Sequence, residues 1–515
     1  MKISIFALIP LILSIGIVFI PNSQAEESLI PDWIKTTAEF WVNEDVSDEE
    51  FVTALQFLVE EGIISIPQSE SIMSSTSTLQ ISEKILFTNV DIFDGVNESL
   101  QQNMNVLVQG NKIQTISSTQ ITPGANTLVI DGSGKTLMPG LIDIHSHLAI
   151  VKDIRETEKM SLDEIAIRTQ LAANDWLMDG YTTVRDLGGP VMGLKRVIDS
   201  GDVPGPRVFP SGAMISQTSG HGDWRDLNDP NPSLSGIRSS NLETMGFFWI
   251  ADGVPDVLAS TRQNLMQGAT QIKIMAGGGG SSSYDPIDTC QFTPEEISAI
   301  VSAAEDWNTY VTAHTFQPHC MQELIELGVK GLDHAFMLDD ETAKMAAENG
   351  VWVLPQMNGL SHYLLENPNL PSDKISVIEK LQNNAQTMVD AMKKHNVKTA
   401  FATDVLGERE DASKQRHYSL FIHAEYFGNY QTLVHATSMG GELVAMSGPR
   451  NNYDGKLGVI EEGALADILL VDGNPLEDLS LMGSNPKWYD AQYQPGVDTI
   501  NIIMKDGVIY KNTLN

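Results

Sequence analysis

The chain has 515 residues, 42% hydrophobic and 19% charged, with 32 Lys+Arg against 67 Asp+Glu and a formal net charge of −35. At roughly 150 residues per domain the length predicts about three domains, fewer if one is a long barrel. The apolar content excludes a disordered chain, and the acidic balance excludes nucleic acid and anionic membrane surfaces as partners, since both need a dense basic footprint.

Lys2 precedes an apolar run from Ile3 to Ile20, and Ser23-Gln24-Ala25 offers a small-x-small site ahead of Glu26-Glu27. This predicts a signal peptide over 1–25, cleaved after Ala25, and an exported protein with no membrane span after processing. Residues 28–67 form a small helical segment: Trp33, Ile34, Phe40 and Trp41 share one face, and Phe51, Leu55 and Leu58 mark a second. Ser47-Asp48-Glu49-Glu50 supplies an N-cap with an acidic first turn. Residues 68–82, rich in Ser and Thr, read as a linker.

Short strands follow, at 85–90, 105–108, 113–116 and 127–130, with Asp94-Gly95 and Gly110-Asn111 as turn signals. The far end answers with 467–471, 500–504 and 508–510 around Asp506-Gly507. Residues 83–138 and 455–515 therefore predict one small β-sandwich domain built from both chain ends. Between them, 139–454 alternates strands (141–147, 181–187, 207–214, 271–276, 310–316, 330–336, 352–358, 398–405) with helices such as 161–179, 294–306, 319–327 and 374–395. The expected class is α/β: a (β/α)8 TIM barrel, whose catalytic groups sit at the C-terminal strand ends.

The chemistry concentrates at those ends. In His145-Ser146-His147, residues i and i+2 share a face of the first strand and can meet one cation. His314 ends the fifth strand, His334 the sixth and Asp404 the eighth. A lone H-x-H is weak; five candidate ligands at the same end of four strands make a strong joint signal. His221 lies between glycines after the third strand, where an imidazole can approach a substrate or cap backbone groups. Gly277 to Gly280 lacks the lysine and serine of a P-loop and reads as an active-site loop. Arg185-Asp186 reads as a structural ion pair. His319, His362, His395, His417, His423 and His435 read as surface or packing residues. Cys290 and Cys320 permit either a disulfide or two buried thiols.

At these motifs the sequence resembles the amidohydrolase superfamily over roughly 80–515. The resemblance is carried by Leu137-Met138-Pro139-Gly140-Leu141-Ile142-Asp143-Ile144-His145-Ser146-His147 and by Gly458-Val459-Ile460-Glu461-Glu462-Gly463-Ala464-Leu465-Ala466-Asp467. Ser219-Gly220-His221-Gly222-Asp223, Ile272-Lys273-Ile274-Met275-Ala276-Gly277-Gly278-Gly279 and Thr403-Asp404-Val405-Leu406-Gly407 make it most similar to the imidazolonepropionase-like subgroup. That subgroup contains Xaa-Pro and Xaa-Arg dipeptidases and ochratoxinase-type amidases.

The resemblance implies two divalent metal ions, expected to be Zn²⁺, bridged by a carboxylated lysine at Lys273. His145, His147 and Asp404 would hold the first ion, and His314 and His334 the second. A hydroxide between the ions would be the nucleophile, and Asp404 would carry its proton to the departing amine. His221 would polarise the scissile carbonyl or hold the substrate. The implied activity is hydrolysis of an amide or peptide bond in a dipeptide or N-acyl amino acid, by an enzyme that forms homo-oligomers. Arg225 or Tyr284 would receive a substrate carboxylate. The alternative is a mononuclear imidazolonepropionase- or deaminase-like hydrolase of cyclic amides or amidines. Gln317 stands where those deaminases carry a glutamate, which favours the amide hydrolase.

Overall fold

A computed structural model describes residues 84–514 except Ser239, Ser281, Ser283, His362 and 367–374. The signal peptide, the 28–67 segment and the linker expected from the sequence lie outside the described residues.

Strands β1 (Lys84–Ile92), β2 (Gln101–Gln109), β3 (Lys112–Ser117), β4 (Thr127–Asp131) and β5 (Lys135–Pro139) come from the N-terminal side. The barrel follows with β6 (Leu141–Ser146), β7 (Tyr181–Asp186), β8 (Arg207–Pro210), β9 (Met214–Ser216), β10 (Phe248–Ile250), β11 (Ile272–Met275), β12 (Val311–Thr315), β13 (Gly331–His334) and β14 (Trp352–Leu354). Strands β15 (Ile468–Asp472), β16 (Ile500–Lys505) and β17 (Val508–Asn512) close the chain.

Both ends of the described region enter one eight-stranded sheet in the order β17-β16-β15-β5-β1-β2-β3, with β4 also on β1. Strand β1 serves β4 along Lys84–Thr88 and then β5 at Asp91 and Ile92. The switch falls at a register shift beside Asn89, whose φ of 56° kinks the strand as bulges do. At the β16–β17 hairpin, Asp506 (φ 58°) and Gly507 (φ 72°) are both left-handed, as the tightest hairpin turns require.

Strand β15 shows how sheet and barrel share a core. All of Ile468, Leu469, Leu470 and Val471 are buried; Ile468 and Leu470 pack among the sheet residues, whereas Leu469 and Val471 join Trp176, Tyr181 and Phe401 of the barrel. Period-two alternation with apolar residues on both faces is what a doubly covered strand needs. Arg207 on β8 locks the same junction through a two-pronged contact with Asp467 (3.0 and 3.1 Å) and a 2.8 Å contact with Asp506.

The barrel follows the expected rhythm, with helices at Leu162–Met178, Pro294–Glu305, Pro318–Glu326 and Ile375–His395. Two positions depart from it. The third strand is broken: β8 pairs with β7, and β9 pairs with β10 and β11. Gly212 at the break has φ 75°, and Asn264 replaces ladder bonds there by bonding both the amide and the carbonyl of Ala213 (3.0 and 2.8 Å). The eighth position, 398–405, carries one isolated bridge, Val405 to Ser146, and joins its neighbours through bonds from Val353 to Lys398, from Ile144 to Phe401, from Asp404 to His145 (2.7 Å) and from His147 to Val405. Among the described residues no helix is long and apolar enough to cross a membrane.

Candidate metal centre

The first two imidazoles owe their placement to a buried carboxylate. Asp143 accepts from the His145 amide (2.9 Å), the Thr403 amide (3.2 Å) and the Thr403 hydroxyl (2.5 Å), so one side chain ties β6 to the eighth segment and sets His145 beside Asp404. Burial pushes the Asp143 carboxyl up to about 7 against the pull of these bonds. Asp186 does the same next door, accepting from the Leu148 amide at 2.7 Å just past His147.

Asp404 is the focus. Its Oδ1 lies 3.4 Å from His145 Nε2 and 3.1 Å from His147 Nε2, while Oδ2 lies 3.9 Å from His334 Nδ1. Burial disfavours its charge, but His145, His147 and His334 hold it below the usual carboxylate range. The Asp404 side chain stays 32% exposed, open toward a ligand. His334 (φ 67°) and Asp404 (φ 57°) both adopt left-handed backbone at their strand ends, a conformation that costs a non-glycine residue about 1–3 kcal/mol and clusters at functional sites.

The remaining predicted residues join the same cluster. Ring centroids lie 5.1 Å apart for His145 and His334, 4.4 Å for His314 and His334, and 3.9 Å for His221 and His314. Burial, reinforced by neighbouring positive groups, lowers His145 to about 4 and holds His314 and His334 well below their ordinary value. These three imidazoles are therefore neutral and keep a lone pair for a cation. Donor atoms of His145, His334 and Asp404 all lie within 4.8 Å of one another. Neutral imidazoles grouped around an ionised carboxylate fit a divalent metal.

Lys273 is fully buried on β11, and its Nζ donates to Asp333 Oδ2 at 2.6 Å. Sequence reasoning missed Asp333. It also accepts from Thr312 (2.9 Å) and Arg185 (3.1 Å) and lies 3.4 Å from His145 Nδ1. Despite burial, Lys273, His145 and Arg185 keep it well below the usual carboxylate range. The signal was two adjacent polar residues, Asp333-His334, closing an apolar strand.

Two expectations are corrected, and one of the two alternatives for His221 falls away. Arg185 does not pair with Asp186; its guanidinium turns into the barrel to Asp333, the Ile144 carbonyl (2.7 Å) and the Tyr310 hydroxyl (2.9 Å). Arg225 is not free for a substrate carboxylate, because Asp223 holds it from two nitrogens at 2.8 and 2.7 Å. His221 does not cap backbone with its ring, since its Nδ1 meets Ser282 Oγ (2.7 Å) and Asp285 Oδ2 (3.0 Å). Tyr284 accepts from Ser219 through its backbone carbonyl at 2.8 Å. Cys290 and Cys320 form a disulfide with Cα atoms 5.4 Å apart, tying the loop after β11 to the helix after β12. Gln317 is occupied with that loop, donating to the Ile287 carbonyl at 3.1 Å.

Imidazoles and a carboxylate gathered at the C-terminal strand ends of a (β/α)8 barrel define a metal-dependent hydrolase. Residues 136–509 match the amidohydrolase family, and the chain belongs to it: an enzyme that hydrolyses carbon–nitrogen bonds. It is 29% identical over 355 residues to ochratoxinase of Aspergillus niger, covering 67% of this chain and 72% of that one. A prolidase solved with N-methylphosphonate-L-proline is 31% identical, with a TM-score of 0.73 over 84% of this chain and 100% of its own. A Xaa-Pro dipeptidase with methionine bound in its active site is 27% identical, with a TM-score of 0.69 over 83% and 100%.

Proposed function

We propose that the chain is an exported amidohydrolase that uses two divalent ions, expected to be Zn²⁺, to cleave the amide bond of a dipeptide or N-acyl amino acid. The observation that carries this reading is Lys273, a fully buried amine set beside the imidazole cluster. Carboxylation would turn that amine into an anionic oxygen donor, which a site for two cations needs and a mononuclear deaminase does not. The likeness to a prolidase and to an ochratoxinase supports the same class of substrate.

In this reading His145, His147 and Asp404 would hold one ion and His314 and His334 the other, and Lys273, once carboxylated, would supply both with an anionic oxygen donor. Bound metal supplies an activated water at neutral pH and polarises the carbonyl. The protein's own groups do the rest. Asp333 stays behind His145 Nδ1 and fixes the orientation of that ring, as a carboxylate behind a ligating histidine does. After Lys273 is carboxylated, Asp333 would still have Arg185 and Thr312 as partners. Asp404, ionised and part-exposed, takes a proton on its carboxylate and returns it to the amine, which leaves an amide poorly unless protonated. His221 meets the carbonyl or another polar group of the substrate.

The test is an assay of purified, metal-loaded protein against a library of dipeptides and N-acyl amino acids. Turnover of at least one subclass is expected. Turnover confined to cyclic amides or amidines would favour the imidazolonepropionase- or deaminase-like alternative.

A further inference from the structure

We infer that Asp285 is a positioning residue for His221, and that the loop after β11 is built to present this Asp–His pair to the substrate. The inference rests on the hydrolase reading of the site and concerns a carboxylate that contributes nothing to the ligand set.

Four observations carry it. Asp285 Oδ2 lies 3.0 Å from His221 Nδ1, and an ionised carboxylate can only accept. Nδ1 therefore carries the proton, and Nε2 is the nitrogen left to meet a substrate. Second, Asp285 is itself held: the Gly279 amide donates to the same Oδ2 at 2.7 Å. Third, the ring has little freedom. It stacks on His314 at 3.9 Å with an interplanar angle of 14°, and a Cβ added to Gly279 would lie 2.0 Å from its Cε1. Glycine at 279 is required by that approach. Fourth, the loop is closed at its base, by Gly278 to Thr289 (3.2 Å), Gln291 to Ala276 (3.0 Å) and the Cys290–Cys320 disulfide, while Gln291 Oε1 accepts the His221 amide at 3.0 Å.

Asp285 is also placed at a cost. Its Oδ1 is buried with no partner among the described residues, and a carboxylate serving only the loop would be cheaper with both oxygens bonded. Its surviving contacts all converge on the oxygen that faces His221. Ring, carboxylate and loop thus form one orienting device with the metal-side face of the ring set by His314.

The experiment combines kinetics and spectroscopy on the full-length, metal-loaded enzyme. Asp285→Ala should lower kcat about 10- to 100-fold with KM little changed, the cost of a misaligned reacting group. Asp285→Asn, which keeps an acceptor oxygen, should recover most of that loss. In a His221→Ala background the Asp285→Ala change should cost nothing further, since its effect passes through the ring. Wild-type kcat in Asp285→Ala, or losses that multiply in the double variant, would overturn the inference. Independently of turnover, nitrogen NMR of histidine-labelled protein should show the His221 ring, identified by its loss in His221→Ala, protonated at Nδ1. Asp285→Ala should shift it to a mixture of tautomers, and an unchanged spectrum would also overturn the inference. If the wild type turns over no amide, the hydrolase reading fails while the spectra still decide the pairing.

Discussion

Lys273 Nζ and Asp333 Oδ2 lie 2.6 Å apart on strands β11 and β13, both fully buried, and Arg185 reaches the other oxygen of the same carboxylate at 3.1 Å. Strand β12 lies between β11 and β13 and contributes Thr312 to the same oxygen that Lys273 uses. One carboxylate thus neutralises two buried cations and stands behind His145. Removing it as Asp333→Ala leaves Arg185 uncompensated, and Lys273 with it wherever that amine is not carboxylated, a change that costs about 3–5 kcal/mol where a buried pair is broken. Thermal unfolding should show a large drop in Tm, and metal analysis should show lower occupancy. A variant with wild-type Tm would remove Asp333 from this role.

A second buried cluster makes stability depend on pH. His423 Nε2 and His435 Nδ1 lie 2.9 Å apart behind Phe401, and burial lowers His435 to about 3 and His423 well below its ordinary value. The unfolded chain binds a proton at each near pH 6.5, whereas the folded chain refuses it until far lower. Their contribution is therefore complete above about pH 6.5 and is lost as pH falls toward 3, at roughly 1.4 kcal/mol per pH unit for each histidine. Tm measured from about pH 7.5 to 5 should fall, and a His423→Phe/His435→Gln variant should show a flatter profile. Parallel profiles would contradict this.

The disulfide gives a third expectation. Cys290 and Cys320 are 30 residues apart, so their link restricts the unfolded chain by about 3.6 kcal/mol. The Cys290→Ser/Cys320→Ser variant should melt at lower temperature. It should also lose turnover beyond that expected from stability alone, because the loop holding Asp285 and Gly279 is freed at its base. Calorimetry and assays well below the melting range separate the two effects.

Much of the centre was legible in the sequence, and the reason is geometric. His145 and His147 share a strand face at i and i+2, and His314, His334 and Asp404 each close a strand after apolar residues. Asp333 was missed despite the polar pair it forms with His334, because alternation sends it to the opposite face from that histidine. The left-handed turn at His334 lets both reach the interior. Arg185 was misassigned for a related reason: adjacency in sequence suggested Asp186, but residues i and i+1 of a strand point apart. Asp285 depends on a loop whose course no periodicity encodes. The composite sheet was legible from its hairpin signals, whereas the broken third strand depends on Asn264, a helix residue that bonds across to Ala213.

The most direct test of the account is the metal content of purified wild-type protein measured beside Lys273→Ala. The account predicts about two divalent ions per chain in the wild type, reduced in the variant together with loss of turnover. A wild type holding a single ion, or a Lys273→Ala variant retaining two ions and full turnover, would contradict it.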